Sequence, residues 1–329
     1  MIQILELFGG IGSPRIALRN MGVDVKAIDY VEIDEKAVRS YNAMFSKELA
    51  YKTQSVVGYN LKPDMLIHGS PCQDFSIAGH QKGADEGSQT RSSLMWETVH
   101  IIEQMGQWKP KVVIWENVKN VLSKHMRHNF NRYIEEMQKL GYTSSYEVLN
   151  AMDFGLPQDR DRVFTISCLD GTYFNFMTLR KRPCKHIKEY LEDNDKVPSY
   201  YQVTQPSMLR VINKQANTAF NGRVEVIKDH CKTITCKQMR CPNSGVIDLG
   251  NGRYRYLTER ECWRLQGYSD ADFEAALKVH PGKPGKLNGA LYKQSGNSIP
   301  TVFFEAIFEQ LLGGLNEKAE WKSQQQVCS

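Results

Sequence analysis

The first 22 residues of the chain constrain its fold more than any other stretch. Residues 2–8 form an apolar run that predicts a buried strand, and a glycine turn, residues 9–12, follows it. A helix is predicted from about Pro14, because proline is favoured at the first helical position. This order brings backbone N–H groups and a helix N-terminus close to a ligand. Arg15 replaces the third glycine of GxGxxG, so the unit indicates only an α/β fold with a nucleotide-like site.

Three later apolar runs predict buried strands that end in chemically useful residues. The run 25–31 leads to Glu32, about twenty residues beyond the glycines, where a carboxylate can accept from both ribose hydroxyls. The run 64–68 leads to Cys72, and a further run ends at Glu116. Ligands bind at the carboxyl edge of the strands in open α/β sheets, so Cys72 and Glu116 are expected to face one crevice.

Composition narrows the class of protein. The chain has 329 residues, 41% of them hydrophobic, enough for one large domain or two unequal ones. No signal peptide or bilayer-spanning run is evident, so no membrane partner is expected. The eight cysteines form no CxxC pair, which favours reduced thiols in a cytoplasm. The spacing of Cys231, Cys236 and Cys241 fits no usual zinc knuckle, so no metal is expected.

Charge is distributed unevenly along the chain. Residues 171–255 carry 15 Lys and Arg against 7 Asp and Glu, a balance of +8, whereas the whole chain has +5. A basic segment in a mildly acidic body indicates a polyanionic partner. We therefore expect a main domain over 1–169 and 256–315, a small loop-rich domain over 170–255, and a polar tail over 316–329.

A thiol, a carboxyl acid, paired arginines and an adenosine-type site together suit methyl transfer to carbon 5 of cytosine. That carbon is a poor nucleophile, but a thiolate adding to carbon 6, with a proton delivered to N3, converts the ring into an enamine. Cys72 is the candidate thiolate, its pKa lowered by nearby positive charge, and Glu116 is the candidate proton donor. Arg160 and Arg162 are two residues apart in a predicted strand, so they are expected to share a face.

Six short blocks resemble, in order and spacing, those of the bacterial and phage DNA (cytosine-5)-methyltransferases. The blocks are Phe8-Gly9-Gly10-Ile11-Gly12, Pro71-Cys72-Gln73, Glu116-Asn117-Val118, Gln158-Asp159-Arg160-Asp161-Arg162, Arg260-Glu261-Cys262 and Gly296-Asn297-Ser298. The resemblance implies an α/β fold with a Rossmann-like mixed sheet and a smaller, loop-rich target-recognition domain. It also implies S-adenosylmethionine as the cofactor and S-adenosylhomocysteine as its product.

The resemblance implies a role for each catalytic candidate. Cys72 would be the nucleophile and Glu116 the acid on N3. Arg160 would contact the target base carbonyl or a phosphate, and Arg162 would support the thiol and Glu116. The expected cofactor pocket consists of Phe8, Gly10, Ile11, Gly12, Glu32, Ile33, Gln54, Pro71, Leu94, Asn297 and Ser298.

The chain departs from the family at the carboxylate that contacts adenine. No Asp or Glu occurs over residues 52–56, and Gln54 or Ser55 is expected to replace it. An amide oxygen can still accept from an adenine amino group, so we expect weaker cofactor binding rather than none.

Double-stranded DNA is the partner that the resemblance implies. Residues 76–93 resemble the family's catalytic loop, and the target base must leave the stack to be attacked. The candidate DNA contacts are Ser76, Lys82, Arg91, Asn221, Arg223, Thr233, Thr235, Lys237 and Arg240, with Arg180, Lys181 and Arg182 as further basic candidates. We expect a monomer on DNA, with a cognate restriction endonuclease as a further candidate partner.

Three alternatives stay open at this point. A methyltransferase of tRNA cytosine would need the same catalytic residues, and an idle DNA-binding protein would keep the fold without the chemistry. A nucleotide-dependent oxidoreductase is disfavoured by Arg15 and by the Pro71-Cys72-Gln73 block.

Overall fold

The computed structural model describes residues 2–47, 50–58, 62–70, 94–214 and 224–313 of the chain. Seven of the candidate residues therefore lie outside the described residues, namely Pro71, Cys72, Ser76, Lys82, Arg91, Asn221 and Arg223.

A six-stranded mixed sheet organises the main body, in the order β2-β1-β3-β4-β7-β5. Its strands are β1 (Ile2–Leu7), β2 (Val25–Val31), β3 (Met65–His68), β4 (Val112–Val118), β5 (Thr143–Asn150) and, after the short β6 (Gln158–Asp159), β7 (Asp161–Cys168). The strands β2, β1, β3 and β4 run parallel, and β7 pairs antiparallel with both β4 and β5. The predicted α/β fold with a mixed sheet is confirmed.

Helices cover both faces of this sheet, which explains why its parallel strands carry buried apolar residues on both faces. They are α1 (Ser13–Asn20), α2 (Glu35–Met44), α3 (Leu94–Gln104), α4 (Arg127–Lys139) and a helix over residues 301–313, here α9. One buried cluster joins alternate strand residues to α3 and α4, and a second joins the opposite face to α1 and α9. Asp34 caps α2 as the sequence predicts, accepting from the backbone N–H of Lys36.

The remaining elements form a smaller, loop-rich region and the segments that return from it. They are α5 (Pro206–Ile212), β8 (Cys231–Lys232), β9 (Ile247–Gly250), β10 (Arg253–Arg255), α6 (Glu259–Arg264), α7 (Asp270–Val279) and α8 (Gly289–Asn297). The short β8 pairs in parallel with β6, so the two regions share backbone hydrogen bonds. Phe174 and Leu179 pack into the sheet's core cluster beside Phe303, so packing onto the main body continues past residue 170.

A capping box opens α6, directly after the small region. Thr258 and Glu261 exchange hydrogen bonds at the helix N-terminus. Glu261 also binds the guanidinium of Arg255, at the end of β10, with both carboxylate oxygens at 2.9 Å. Both side chains are buried, so truncating either one would leave the other as an uncompensated buried charge. None of the helices in the described part of the chain is long and apolar enough to span a membrane.

The glycine turn after β1 is fixed by two tyrosine rings beneath it. A Cβ on Gly9 would lie 2.6 Å from the ring of Tyr30, and one on Gly12 would lie 2.5 Å from that of Tyr41. Gly12 also has a φ of +78°, and Phe8 takes the left-handed conformation at φ +57°. Non-glycine residues in that region mark strain, which is often found at ligand sites.

Glu6 lies below this turn and is fully buried in β1. Arg15 faces its carboxyl with both its backbone N–H and its charge. Burial raises the pKa of Glu6 to about 8, and the positive charge of Arg15 opposes the shift without cancelling it. We therefore expect a neutral carboxyl at pH 7 beneath the turn.

The steric constraint at the turn yields a first prediction. Gly12→Ala should lower the free energy of unfolding by about 1–3 kcal/mol more than Gly22→Ala, because only Gly12 faces a ring. Gly22 is the matched control, since its φ is +69° and no described atom lies within 4 Å of its added Cβ. Urea unfolding of both variants measures the difference, and equal losses would contradict a role for the Tyr41 ring.

The buried carboxyl yields a second prediction. Wild-type stability relative to Glu6→Gln should fall as the pH rises from about 4.5 to about 8, because the folded state holds a proton that the unfolded state releases. The favourable contribution of the protonated Glu6 carboxyl to stability is fully present below the pKa that Glu6 has in the unfolded chain. It is lost as the pH rises through the higher pKa that Glu6 has in the folded protein. Urea unfolding across this range measures it, with the exposed Glu103→Gln as the control. A constant or rising difference would show that Glu6 is ionised in the folded protein.

Candidate active site

The ends of β3 and β4 meet at the candidate reaction centre. His68 pairs with Trp115 across the two parallel strands, so the residues that follow lie at the same level of the sheet. A Cβ on Gly69 would lie 3.5 Å from Oε2 of Glu116. Ser70 is buried, and its hydroxyl accepts a hydrogen bond of 3.1 Å from the Trp115 indole. The segment 62–70 therefore lies close to Glu116 at its last residues. Cys72 follows this segment by two residues in the sequence.

Glu116 and Arg162 form a largely buried ion pair. Nε of Arg162 lies 2.9 Å from Oε1 of Glu116, and the two side chains are 13% and 10% exposed. The strand register explains the contact: Glu116 pairs with Phe164 and Arg162 with Val118, so the two are diagonal neighbours on one face. Burial raises the pKa of Glu116, while the charges of Arg162 and Arg160 oppose the shift. The site can thus hold a proton donor beside a cation.

Arg160 lies between two short stretches of strand and contacts other segments of the protein through its guanidinium. The strand is interrupted at this residue, between β6 and β7. Its guanidinium is 2% exposed and donates to the carbonyls of Ile234 (2.8 Å), Ser298 (2.9 Å) and Gly296 (3.3 Å). Arg160 therefore ties three chain segments together, and these bonds direct its polar atoms toward protein carbonyls rather than toward a bound base.

The turn after β1 and the end of β2 form the candidate cofactor site. The carboxylate of Glu32 accepts from the backbone N–H of Gly10 at 2.9 Å and from those of Ile33 and Asp34 at 2.8 Å. Each carboxylate oxygen has further lone-pair sites, so hydroxyl groups can still bind there. A Cβ on Gly10 would meet no described atom within 4 Å, so the turn is open above this residue.

The flanking residues suit an adenosine group. Ile33 is 75% exposed directly after the carboxylate, an apolar side chain that a purine ring would cover. The backbone N–H of Gln54 donates to the carbonyl of Glu32 at 2.8 Å, which brings the candidate replacement residue to this edge. Its side-chain amide donates weakly to Tyr30 O at 3.4 Å, which leaves the amide oxygen available. The residues present therefore fit the adenosine part of S-adenosylmethionine.

The four other described cofactor candidates differ in how far their side chains are exposed to solvent. Asn297 is exposed as the last residue of α8, and Leu94 is half-buried at the start of α3. Ile11 is buried in the core under the turn, so only its backbone faces the site. Ser298 is also buried, and its hydroxyl donates to Ser295 O. α8 ends at Asn297, and α9 begins at residue 301, directly after Pro300.

The basic candidates of the small region fall into two groups. Lys237 and Arg240 are exposed and form no ion pair within the described ranges. By contrast, three others face acidic groups of the main body: Arg180 with Glu309, Lys181 with Asp153, and Arg182 with Glu305. The three paired residues are therefore weaker candidates for phosphate contact than Lys237 and Arg240.

The loop 233–236 carries the two threonine candidates and lies against the main body. Thr233 donates its hydroxyl to Asp159 O at 2.9 Å, and the half-buried Thr235 follows two residues later. Sequence reasoning missed the part played by Gln158, whose fully buried side chain accepts from Ile234 N at 3.0 Å. Its position in the Gln158–Arg162 block was the available signal.

Within the described ranges, no group of three or more His, Cys, Asp or Glu side chains could hold a metal ion. Cys231 is buried, and burial raises the pKa of its thiol.

Known protein sequences resemble this chain over most of its length. The sequence model of the C-5 cytosine-specific DNA methylase family matches residues 2–313. The type II methyltransferase M2.ScrFI of Lactococcus lactis subsp. cremoris is 30% identical over 370 residues, which cover 94% of this chain and 99% of the relative. The orphan methyltransferase M.SPRI of Bacillus phage SPR is 26% identical and covers 94% and 97%.

Solved structures share the fold. The methyltransferase EhMeth of Entamoeba histolytica matches with a TM-score of 0.73 at 19% identity, over 96% of this chain and 99% of its own. The S. pombe Dnmt2 methyltransferase matches with a TM-score of 0.72 at 17% identity, over 96% and 100%. From its sequence and its fold together, the chain belongs to the C-5 cytosine-specific DNA methylase family and is a DNA (cytosine-5)-methyltransferase that uses S-adenosylmethionine.

Proposed function

We propose that the chain methylates one cytosine within a short specific sequence of double-stranded DNA, with Cys72 as the nucleophile and Glu116 as the acid. The observation that carries this proposal is the buried pair of Glu116 and Arg162, beside the end of β3 that leads to Cys72. A flipped cytosine at this edge would present N3 to the carboxyl. Unstacking the base costs about a few kcal/mol, which DNA contacts elsewhere must offset.

The proposed sequence of steps balances protons within this site. The Cys72 thiolate adds to carbon 6, while Glu116 hydrogen-bonds or protonates N3, which makes carbon 5 nucleophilic. Gly10 and Glu32 would hold the adenosine part of S-adenosylmethionine, which would supply an electrophilic methyl group when bound. After transfer, a base takes the proton from carbon 5, the bond from carbon 6 to sulfur breaks to release the Cys72 thiolate, and N3 returns its proton to Glu116.

The two arginines receive different roles in this proposal. Arg162 lies beside Glu116, so its guanidinium is suited to the carbonyl oxygen of the bound base and to orienting the acid. Arg160 acts on the site through other residues, because its donors are directed to Ile234, Gly296 and Ser298. We therefore assign Arg160 as a positioning residue rather than as a contact to the base.

The small region over 170–255 is the proposed target-recognition domain. Its exposed Lys237 and Arg240 follow directly on the threonine loop 233–236, so phosphate or base contacts are expected there. Thr233 and Thr235 remain candidates for the same surface, as do Asn221 and Arg223.

The relatives of the chain bear on the biological setting in which it acts. A type II methyltransferase among the relatives supports a cognate endonuclease as partner, whereas an orphan phage enzyme supports solitary modification. We propose a monomer that acts on the DNA of a bacterial cytoplasm, of cellular or phage origin.

The first test is whole-genome bisulfite sequencing of a methylation-free bacterial host that expresses the chain. Protected cytosines should be confined to one short motif, and Cys72→Ser should abolish them. The absence of protected cytosines despite well-folded protein would contradict the proposal. If bisulfite sequencing of tRNA from the same cells then showed protected cytosines, the enzyme would be assigned to RNA.

The second test addresses the acid. Glu116→Gln keeps the size of the side chain but loses the transferable proton, so kcat should fall by about 10²–10⁴-fold. The dissociation constant for S-adenosylhomocysteine should stay within about threefold, because the cofactor edge lies at β1 and β2. Steady-state methyl transfer and calorimetry measure the two quantities, with Glu103→Gln as the surface control. An unchanged kcat would remove Glu116 from the chemistry.

A further inference from the structure

The glycine of the Gly-Asn-Ser block lies in backbone contact with the recognition loop 233–236. A Cβ on Gly296 would lie 2.2 Å from the carbonyl carbon of Thr235 and 2.2 Å from the backbone nitrogen of Cys236. Both contacts are with backbone, so a side chain of any size would force the loop away from α8. The resemblance assigns this block to the cofactor, but the geometry gives its glycine a different constraint.

Polar side chains hold the same loop on the main body. Gln158 accepts from Ile234 N at 3.0 Å and donates to Leu265 O at 2.8 Å. Thr233 donates to Asp159 O at 2.9 Å, and Arg160 donates to Ile234 O at 2.8 Å. Ile234 is fully buried, so the loop is docked along its length and not only at Gly296.

The contacts continue from Gly296 to the cofactor turn. Arg160 binds the carbonyls of Gly296 and Ser298, on either side of the exposed Asn297. The backbone N–H of Ile299 donates to the hydroxyl of Ser13 at 3.2 Å. Ser13 follows Gly12 at the start of α1, so a short chain of buried contacts joins the recognition loop to the glycine turn.

We propose that Gly296 is a positioning residue for docking of the recognition loop, and that this docking couples nucleic-acid binding to cofactor binding. The inference rests on the proposed function, because it takes the loop to face the nucleic acid. DNA that holds the loop in its docked position stabilises the segment around Asn297, and so raises the affinity for the cofactor. By linkage, the cofactor must raise the affinity for DNA by the same factor.

The experiment compares the full-length wild type with Gly296→Ala, and uses S-adenosylhomocysteine and sheared genomic DNA from a methylation-free host as probes. Such DNA contains every short motif, so the recognition sequence need not be known. Gly289→Ala is the matched control, since it lies in the same helix and its added Cβ meets only the flexible Met239 side chain. Thr233→Val is a milder second variant, for use if Gly296→Ala does not fold. It removes only the hydrogen bond from Thr233 to the carbonyl of Asp159.

The first readout is hydrogen exchange of the peptide over 233–237 without ligands, a range that excludes Met239 beside the control position. Gly296→Ala and Thr233→Val should speed exchange there several-fold, and Gly289→Ala should not. This arm tests docking whether or not the chain methylates DNA. Unchanged exchange in both variants would overturn the docking of the loop through these contacts.

The second readout is the dissociation constant for S-adenosylhomocysteine with and without saturating DNA. Wild type should bind about tenfold tighter with DNA, within the usual range of coupling, and the two loop variants should approach a ratio of one. Their affinity without DNA should stay within about threefold of wild type. A tenfold loss without DNA would instead make Gly296 a cofactor residue and overturn the inference.

Two further outcomes separate this inference from the proposed function. Wild type that binds DNA but shows a ratio of one overturns the coupling while leaving the methyltransferase proposal intact. Wild type that does not bind DNA in the titration itself contradicts the proposed function, independently of the exchange result.

Discussion

The arrangement of the site depends on the hydrogen bonds that the buried guanidinium of Arg160 donates to backbone carbonyls. A cation that is 2% exposed is costly unless its donors are bonded, and the carbonyls of Ile234, Ser298 and Gly296 accept them. These acceptors come from the small region and from the segment between α8 and α9. One charge thus fixes two chain segments, the loop at Ile234 and the end of α8 with the residues after it, relative to β7, where Arg162 reaches Glu116. Replacing it with a neutral side chain would leave three carbonyls without a donor.

The pKa of Glu116, the proposed proton donor, is set by opposing effects rather than by one neighbour. Burial favours the neutral form of Glu116 and raises its pKa, while Arg162 and Arg160 favour the charged form. The balance suits a group that donates to N3 and later accepts a proton back. The strand register brings this about, since β7 runs antiparallel to β4 and sets Arg162 diagonally from the acid.

The cofactor edge combines backbone strain with close packing. Tyr30 and Tyr41 stack with ring centroids 3.8 Å apart under the turn, so only glycine fits at residues 9 and 12. Phe8, which takes the left-handed conformation, packs instead against the core cluster on the α3 and α4 side of the sheet. Because protein interiors are densely packed, this platform resists collapse and keeps the turn open for a ligand. The conformation of the turn therefore depends on the two tyrosine rings packed beneath it.

The sequence by itself determined the strands, the turn and the chemical groups, because these depend on local pattern. Apolar runs, the caps at Asp34 and Thr258, and carboxylates at strand ends are readable without a fold. Only the tertiary structure decided what Arg160 and Gly296 contact, since Ile234 lies 74 residues from Arg160 and Ser298 lies 138 residues from it. Likewise, Arg180, Lys181 and Arg182 form a basic run in the sequence, but the structure pairs them with carboxylates of the main body. Periodicity and spacing carry no information on such partners, because long-range contacts arise from how the packed layers meet.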